Sequence, residues 1–73
     1  MLVGDLIDNN EFDCNCNYIV YDCSNGEQWG EEGAKILYST ITDGSQNISE
    51  AVLNMKIKYI TTSNNMIIIE AIK

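Results

Sequence analysis

The apolar positions of the chain recur at two periods, which predict short helices interspersed with strands. "LVGDLI" (2–7) places its apolar residues on one face of a short helix. "NISEAVLNM" (47–55) repeats apolar residues at i, i+3, i+4 and i+7, which is typical of a second helix. Asn47 and Glu50 have the spacing of a capping box at its start. Two short helices are therefore expected.

Four further segments have the composition of β-strands: "NYIVYDC", "AKILYSTIT", "KIKYIT" and "MIIIEAI". Asn25-Gly26 predicts a type I′ hairpin that returns the chain through "EQW". "SNN" (63–65) predicts a second tight turn. "KIKYIT" alternates, so Ile57 and Tyr59 are expected on one face and the two lysines on the other.

These elements predict an α+β fold with a small antiparallel sheet of about four strands and two short helices. The 73 residues are expected to form a single domain, 1–73. A chain of this length buries only about 60% of the surface that its unfolded state exposes. Little room remains for an enclosed pocket, so a surface activity is expected.

All three cysteines lie in "FDCNCNYIVYDC" (12–23), which raises the question of a metal site. Cys14 and Cys16 share strand parity, whereas Cys23 points to the other face. A structural zinc site takes four ligands, usually cysteine and histidine, and the sequence has no histidine. Free thiols and no cofactor are the prediction, and a metal-binding regulator is the least favoured hypothesis.

The missing histidine also argues against catalysis. A serine or cysteine nucleophile would lack its usual general base. Gly26, Gly30 and Gly33 lack the spacing and the lysine of a phosphate-binding loop. The prediction is that the protein is not an enzyme.

Charge is distributed unevenly along the sequence. The net charge is −7, and residues 1–34 contain eight of the eleven acidic residues and no lysine. With four lysines and no arginine, direct nucleic-acid binding is disfavoured. An acidic surface can instead cover a basic groove on another protein. The predicted partner-binding residues are the carboxylates and the tryptophan of one segment: Asp22, Glu27, Trp29, Glu31 and Glu32.

Trp29, the single tryptophan, lies in "GEQWGEEG" between glycines and carboxylates. It either folds back onto the sheet as core or forms a partly exposed anchor, because tryptophan is enriched at interface hot spots. The sequence leaves both alternatives open.

The sequence contains no long apolar run and no basic flank near its start, so neither a membrane span nor a secretory signal is expected. A cytoplasmic protein is the prediction.

The succession "VGDLI", "YIVYD", "ILYSTI", "NMKIKYI" and "IIIEAI" resembles the short acidic proteins carried by phages and conjugative elements of AT-rich Gram-positive bacteria. Some of those proteins are anti-CRISPR proteins, which block a nuclease stoichiometrically and in some cases imitate nucleic acid. The resemblance implies an inhibitor of a host defence nuclease. The alternative is a structural or assembly protein that self-associates through its sheet, for example as a homodimer, with its charge serving only solubility.

Overall fold

The computed structural model describes residues 1–7, 17–43 and 48–73. The elements are, in chain order, α1 (Val3–Ile7), β1 (Asn17–Asp22), β2 (Lys35–Ser39), α2 (Thr40–Asp43), α3 (Glu50–Leu53), β3 (Lys56–Ser63) and β4 (Met66–Ile72). The predicted α+β class, with four strands and short helices, is confirmed. The predictions for Cys14, Cys16 and Asn47 lie outside the described residues. No helix in the described ranges is long and apolar enough to cross a membrane.

The four strands form one sheet in the order β2-β1-β4-β3. β1 is antiparallel to β2, and β3 is antiparallel to β4, but β1 and β4 run parallel. The sheet is therefore mixed, and the prediction of antiparallel pairing throughout is wrong at this central pair. Because β1 and β4 are far apart in sequence, strand patterns alone do not determine the direction of their pairing.

The core lies between one face of the sheet and the short helices. Its fully buried side chains include Val3 of α1, Val20 of β1 and Ile69 of β4. Each fully buried aliphatic side chain contributes about 1.5–3 kcal/mol relative to an exposed one. "MIIIEAI" forms the central strand β4, as its apolar run predicts, and it is buried from Ile68 to Ala71.

The turn predicted at "SNN" joins β3 to β4. Asn64 and Asn65 have φ of 52° and 63°, the positive values that a type I′ turn requires at both central positions. Ser63 and Met66 pair across this turn. Asparagine tolerates this left-handed backbone better than most residues, so the sequence predicts the hairpin correctly.

The hairpin predicted at Asn25-Gly26 is absent from the described structure. Gly26 has φ +91° and donates to the Cys23 carbonyl across 3.2 Å, whereas Asn25 has no positive φ. Asp22 accepts hydrogen bonds from the backbone N–H and hydroxyl of Ser24, at 3.0 and 2.6 Å. This local turn competes with a type I′ hairpin. The chain therefore forms a long loop, residues 23–34, between β1 and β2.

Hydroxyl side chains end the third predicted segment earlier than expected. "AKILYSTIT" is a strand only to Ser39, whose hydroxyl accepts from the Ile41 N–H across 3.3 Å. Thr40 accepts from the Tyr18 N–H at 3.1 Å, and the one-turn helix α2 follows. At α3 the N-cap is Ser49, whose hydroxyl accepts from Val52.

Candidate functional site

The face of the sheet opposite the core carries a row of three side chains at the same level. Tyr21 of β1 pairs with Glu70 of β4, and Glu70 pairs with Tyr59 of β3. Directly paired residues point to the same face, so the carboxylate lies between two tyrosines. Trp29, in the loop of residues 23–34, contacts the row at Tyr21, with ring centroids 6.5 Å apart. We call residues 23–34 the anchored loop.

Glu70 attaches the anchored loop to the sheet. The residue is only 4% exposed, and its Oε2 accepts from the Trp29 backbone N–H at 3.4 Å. Its Oε1 lies 3.7 Å from the ammonium of Lys58. That ammonium also donates to the Glu27 carbonyl at 3.0 Å. Two bonds from the sheet thus hold the loop on either side of Gln28.

A β-bulge makes this arrangement possible. The β3–β4 register shifts between Ile57 and Tyr59, so Ile57 pairs with Ala71 on the core face while Tyr59 pairs with Glu70 on the opposite face. The prediction that Ile57 and Tyr59 share one face is therefore wrong. The extra residue of a bulge redirects its side chain, and here that residue is Lys58.

The structure places Trp29 between its two predicted alternatives. The residue is half-buried, and its backbone N–H donates a hydrogen bond to Glu70. Its ring packs against Tyr21 at an interplanar angle of 45°. Gly30, directly after it, has φ +86°, a conformation in which a side chain would be strained. The indole is therefore fixed on the sheet while part of it still faces solvent.

The three glutamates of the anchored loop differ in exposure. Glu31 and Glu32 are exposed, and the Glu31 carboxylate accepts from the Gln28 N–H, which closes a turn inside the loop. Glu27 is half-buried, and its Oε1 has no hydrogen-bond partner among the described residues. Glu31 and Glu32 are thus the loop glutamates that a partner can reach.

Asp22 and Cys23 lie where β1 enters the anchored loop. Hydrogen bonds from the Ser24 hydroxyl and backbone N–H hold the pKa of the Asp22 carboxyl below its usual value. Burial raises the pKa of the Cys23 thiol, and the nearby Glu70 carboxylate raises it further. A raised pKa lowers the thiolate fraction, so Cys23 is a packing residue with low nucleophilicity.

The fold places lysines next to residues 1–34, a part of the sequence that itself contains no lysine. Lys35 pairs with Asp22 across β1 and β2, and Lys73 follows β4 and donates its backbone N–H to Ser24. Lys58 approaches Glu27 and Glu70 through the bulge. Lysines from the second half of the sequence therefore lie next to acidic residues of the first half. The charge around β1 and the anchored loop is more balanced than the sequence predicts.

The structure brings four of the five predicted residues into one loop and places Asp22 at its entrance. Sequence reasoning missed Lys58, Tyr59 and Glu70, which position that loop. One signal was present: Glu70 is a single charge within the apolar strand "MIIIEAI", and a buried charge requires a partner. Among the described residues, no group of three or more potential ligands is arranged to hold a metal.

The fold and this site define a small α+β protein with a four-stranded mixed sheet and a loop fixed across its outer face. No family model, no curated protein and no solved structure matches the chain. Functional inference therefore depends on the geometry of the site itself.

Proposed function

We propose that this chain is a non-enzymatic binding protein whose anchored loop covers a basic surface on a protein partner. In its most specific form, the protein comes from a phage or another mobile element and inhibits a host defence nuclease stoichiometrically. The anchored loop supports this proposal because Trp29 is held half-exposed beside two exposed carboxylates, Glu31 and Glu32. A surface fixed before binding loses less conformational entropy when the complex forms.

The overall charge favours a basic partner. The chain carries a net charge of −7, and the contacts of Lys35, Lys58 and Lys73 are with Asp22, Glu27 and Glu70. Complementary charge accelerates encounter and adds salt-dependent attraction. Glu31 and Glu32 would supply the exposed part of that attraction, and Trp29 the apolar contact.

A single charge reversal tests this proposal. The tagged protein is used to capture its partner from host lysate, and the captured protein is identified by mass spectrometry and purified. The affinity of that partner is then measured for Glu32→Lys by calorimetry at low and at moderate salt. We expect Glu32→Lys to weaken binding about tenfold or more at low salt, because it places like charges together at the interface.

Glu50→Lys is the matched control. Glu50 is also exposed, lies on α3 and undergoes the same change of charge. Its effect should be several-fold smaller, since it acts only through the overall charge. Equal losses for the two variants would mean that no particular surface is used, and the proposal would then fail.

A second candidate function is self-assembly, and the position of β3 favours it. β3 is eight residues long and lies at an edge of the sheet that the described strands form. Tyr59 and Ile60, on opposite faces, are 58% and 39% exposed. The chain's own residues 1–2 already pair with β3 at residues 56–57. The remainder, from Tyr59 to Ser63, carries no charged side chain and offers its backbone groups to a strand from a second copy.

Light scattering tests the assembly function. If β3 mediates it, the wild-type protein should form dimers or larger species, and Ile60→Lys should be monomeric because it places a charge at the contact. Ile36→Lys, at an equally apolar exposed position on the other edge strand, should behave as the wild type. A monomeric wild-type protein at every concentration would exclude this function.

A further inference from the structure

A cleft of about 380 Å³ opens between the anchored loop and the sheet. The loop contributes Gln28 and Trp29, and the sheet contributes Lys58, Tyr59 and Glu70. Two of these lining residues, Trp29 and Tyr59, are aromatic, and Tyr59 is 58% exposed. Glu70 brings to the cleft a carboxylate that is almost inaccessible to bulk water.

The contacts of the Glu70 carboxylate within the described part of the chain hold the loop but leave acceptor positions of the carboxylate unfilled. They are the Trp29 N–H at 3.4 Å and the Lys58 ammonium at 3.7 Å. Charge-assisted hydrogen bonds are typically about 2.7–2.9 Å long, and an ionised carboxylate can accept about four of them. Glu70 is therefore buried with unused acceptor capacity, and a donor that entered the cleft would complete its coordination.

Lys58 does not meet this need, because its ammonium is closer to the Glu27 carbonyl, at 3.0 Å, than to Glu70. Glu70 and Lys58 line the cleft, and Glu27 directly precedes its lining residue Gln28 in the loop. Two acidic residues and one lysine therefore lie at or next to the cleft, a balance that favours a cation.

We propose that the cleft binds an arginine side chain of the basic partner, with the guanidinium between Trp29 and Tyr59 and its N–H groups donating to Glu70. This inference rests on the proposed function, since it names the part of the basic partner that the site receives. Arginine fits better than lysine because its planar group stacks on aromatic rings and donates in a fork to a carboxylate.

Trp29 supplies the assay, because it is the only tryptophan in the chain and it lines the cleft. Its fluorescence is measured in the full chain during titration with N-acetyl-arginine-N-methylamide, which resembles an arginine within a peptide. The citrulline derivative is the matched control, with the same shape and no charge. We expect a saturable change with the arginine probe and at least about tenfold weaker binding of the citrulline probe.

Two variants connect the signal to the cleft. Glu70→Gln should abolish the preference for arginine over citrulline, because it removes the charged acceptor. Tyr59→Leu changes an exposed residue, so the fold should persist and binding of the arginine probe should weaken several-fold. If Glu70→Gln does not fold, Tyr59→Leu decides the question.

Three results would overturn the inference: equal binding of the two probes, unchanged binding in Tyr59→Leu, or free arginine binding tenfold more tightly than the peptide-like probe. The last result would indicate a site for a free small molecule. The probe assay tests the arginine site without a partner, so a negative result there can be told apart from a failure of the proposed partner interface. Arginine-selective binding combined with a silent Glu32→Lys variant would support the cleft and refute the interface formed by the exposed glutamates.

Discussion

Replacing Ile69 with alanine should leave a large fraction of the protein unfolded at room temperature. Ile69 is completely buried at the centre of β4 and belongs to the core cluster. Truncating a buried isoleucine costs about 2–5 kcal/mol, because contacts are lost and a cavity remains. A core of this size supplies roughly 3–5 kcal/mol of net stability in total. Urea denaturation followed by circular dichroism measures the loss.

Ile60→Ala is the control for this experiment. Ile60 pairs directly with Ile69 across β3 and β4, yet it is 39% exposed. The same truncation should cost about 1 kcal/mol or less there, because a smaller apolar area leaves water on folding. Equal losses in the two variants would contradict the difference in burial between central β4 and edge strand β3 on this face of the sheet.

The second large effect is expected at Lys58. Lys58→Met retains most of the side chain's apolar length but removes the ammonium, so buried Glu70 keeps only its contact with the Trp29 N–H. Leaving a buried charged group without its partner costs about 1–3 kcal/mol. The free energy of unfolding, measured in urea at neutral pH, should fall by that amount. Trp29 fluorescence should also change, because the anchored loop loses one attachment.

Two further variants separate the ion pair from general effects of the substitution. Lys56→Met removes a lysine from the same strand at an exposed position and should alter stability by no more than about 0.5 kcal/mol. The double variant Lys58→Met with Glu70→Gln should be more stable than Lys58→Met alone, since no buried charge remains. Additive losses in the double variant would contradict the role assigned to the pair.

Local patterns predicted two of the three described helices and one of the two expected tight turns. α1 and the turn at Asn64-Asn65 follow from apolar spacing and from the backbone tolerance of asparagine. The parallel β1–β4 pairing could not be predicted in this way, because it depends on contacts between segments more than 40 residues apart. The end of β2 at Ser39 depends on hydroxyl bonds that a propensity argument does not include.

The sequence could indicate which segment carries the candidate site, but not how that segment is attached to the sheet. The sequence indicated Trp29 and its neighbouring glutamates, and the structure holds them in one loop. A single bulge directs Lys58 to Glu70 and reverses the expected face of Tyr59. Strict alternation cannot anticipate a bulge, so the attachment of the loop to the sheet was visible only in three dimensions.

An NMR map of the isotope-labelled protein with its purified partner tests most directly whether the anchored loop contacts that partner. Chemical shifts should change at the Trp29 indole N–H and along residues 23–34, together with Tyr59. The amides of α3 and of residues 61–65 should remain unchanged. Shifts confined to α3 or to the outer edge of β3, with an undisturbed Trp29 indole, would show that the partner binds elsewhere than at the anchored loop.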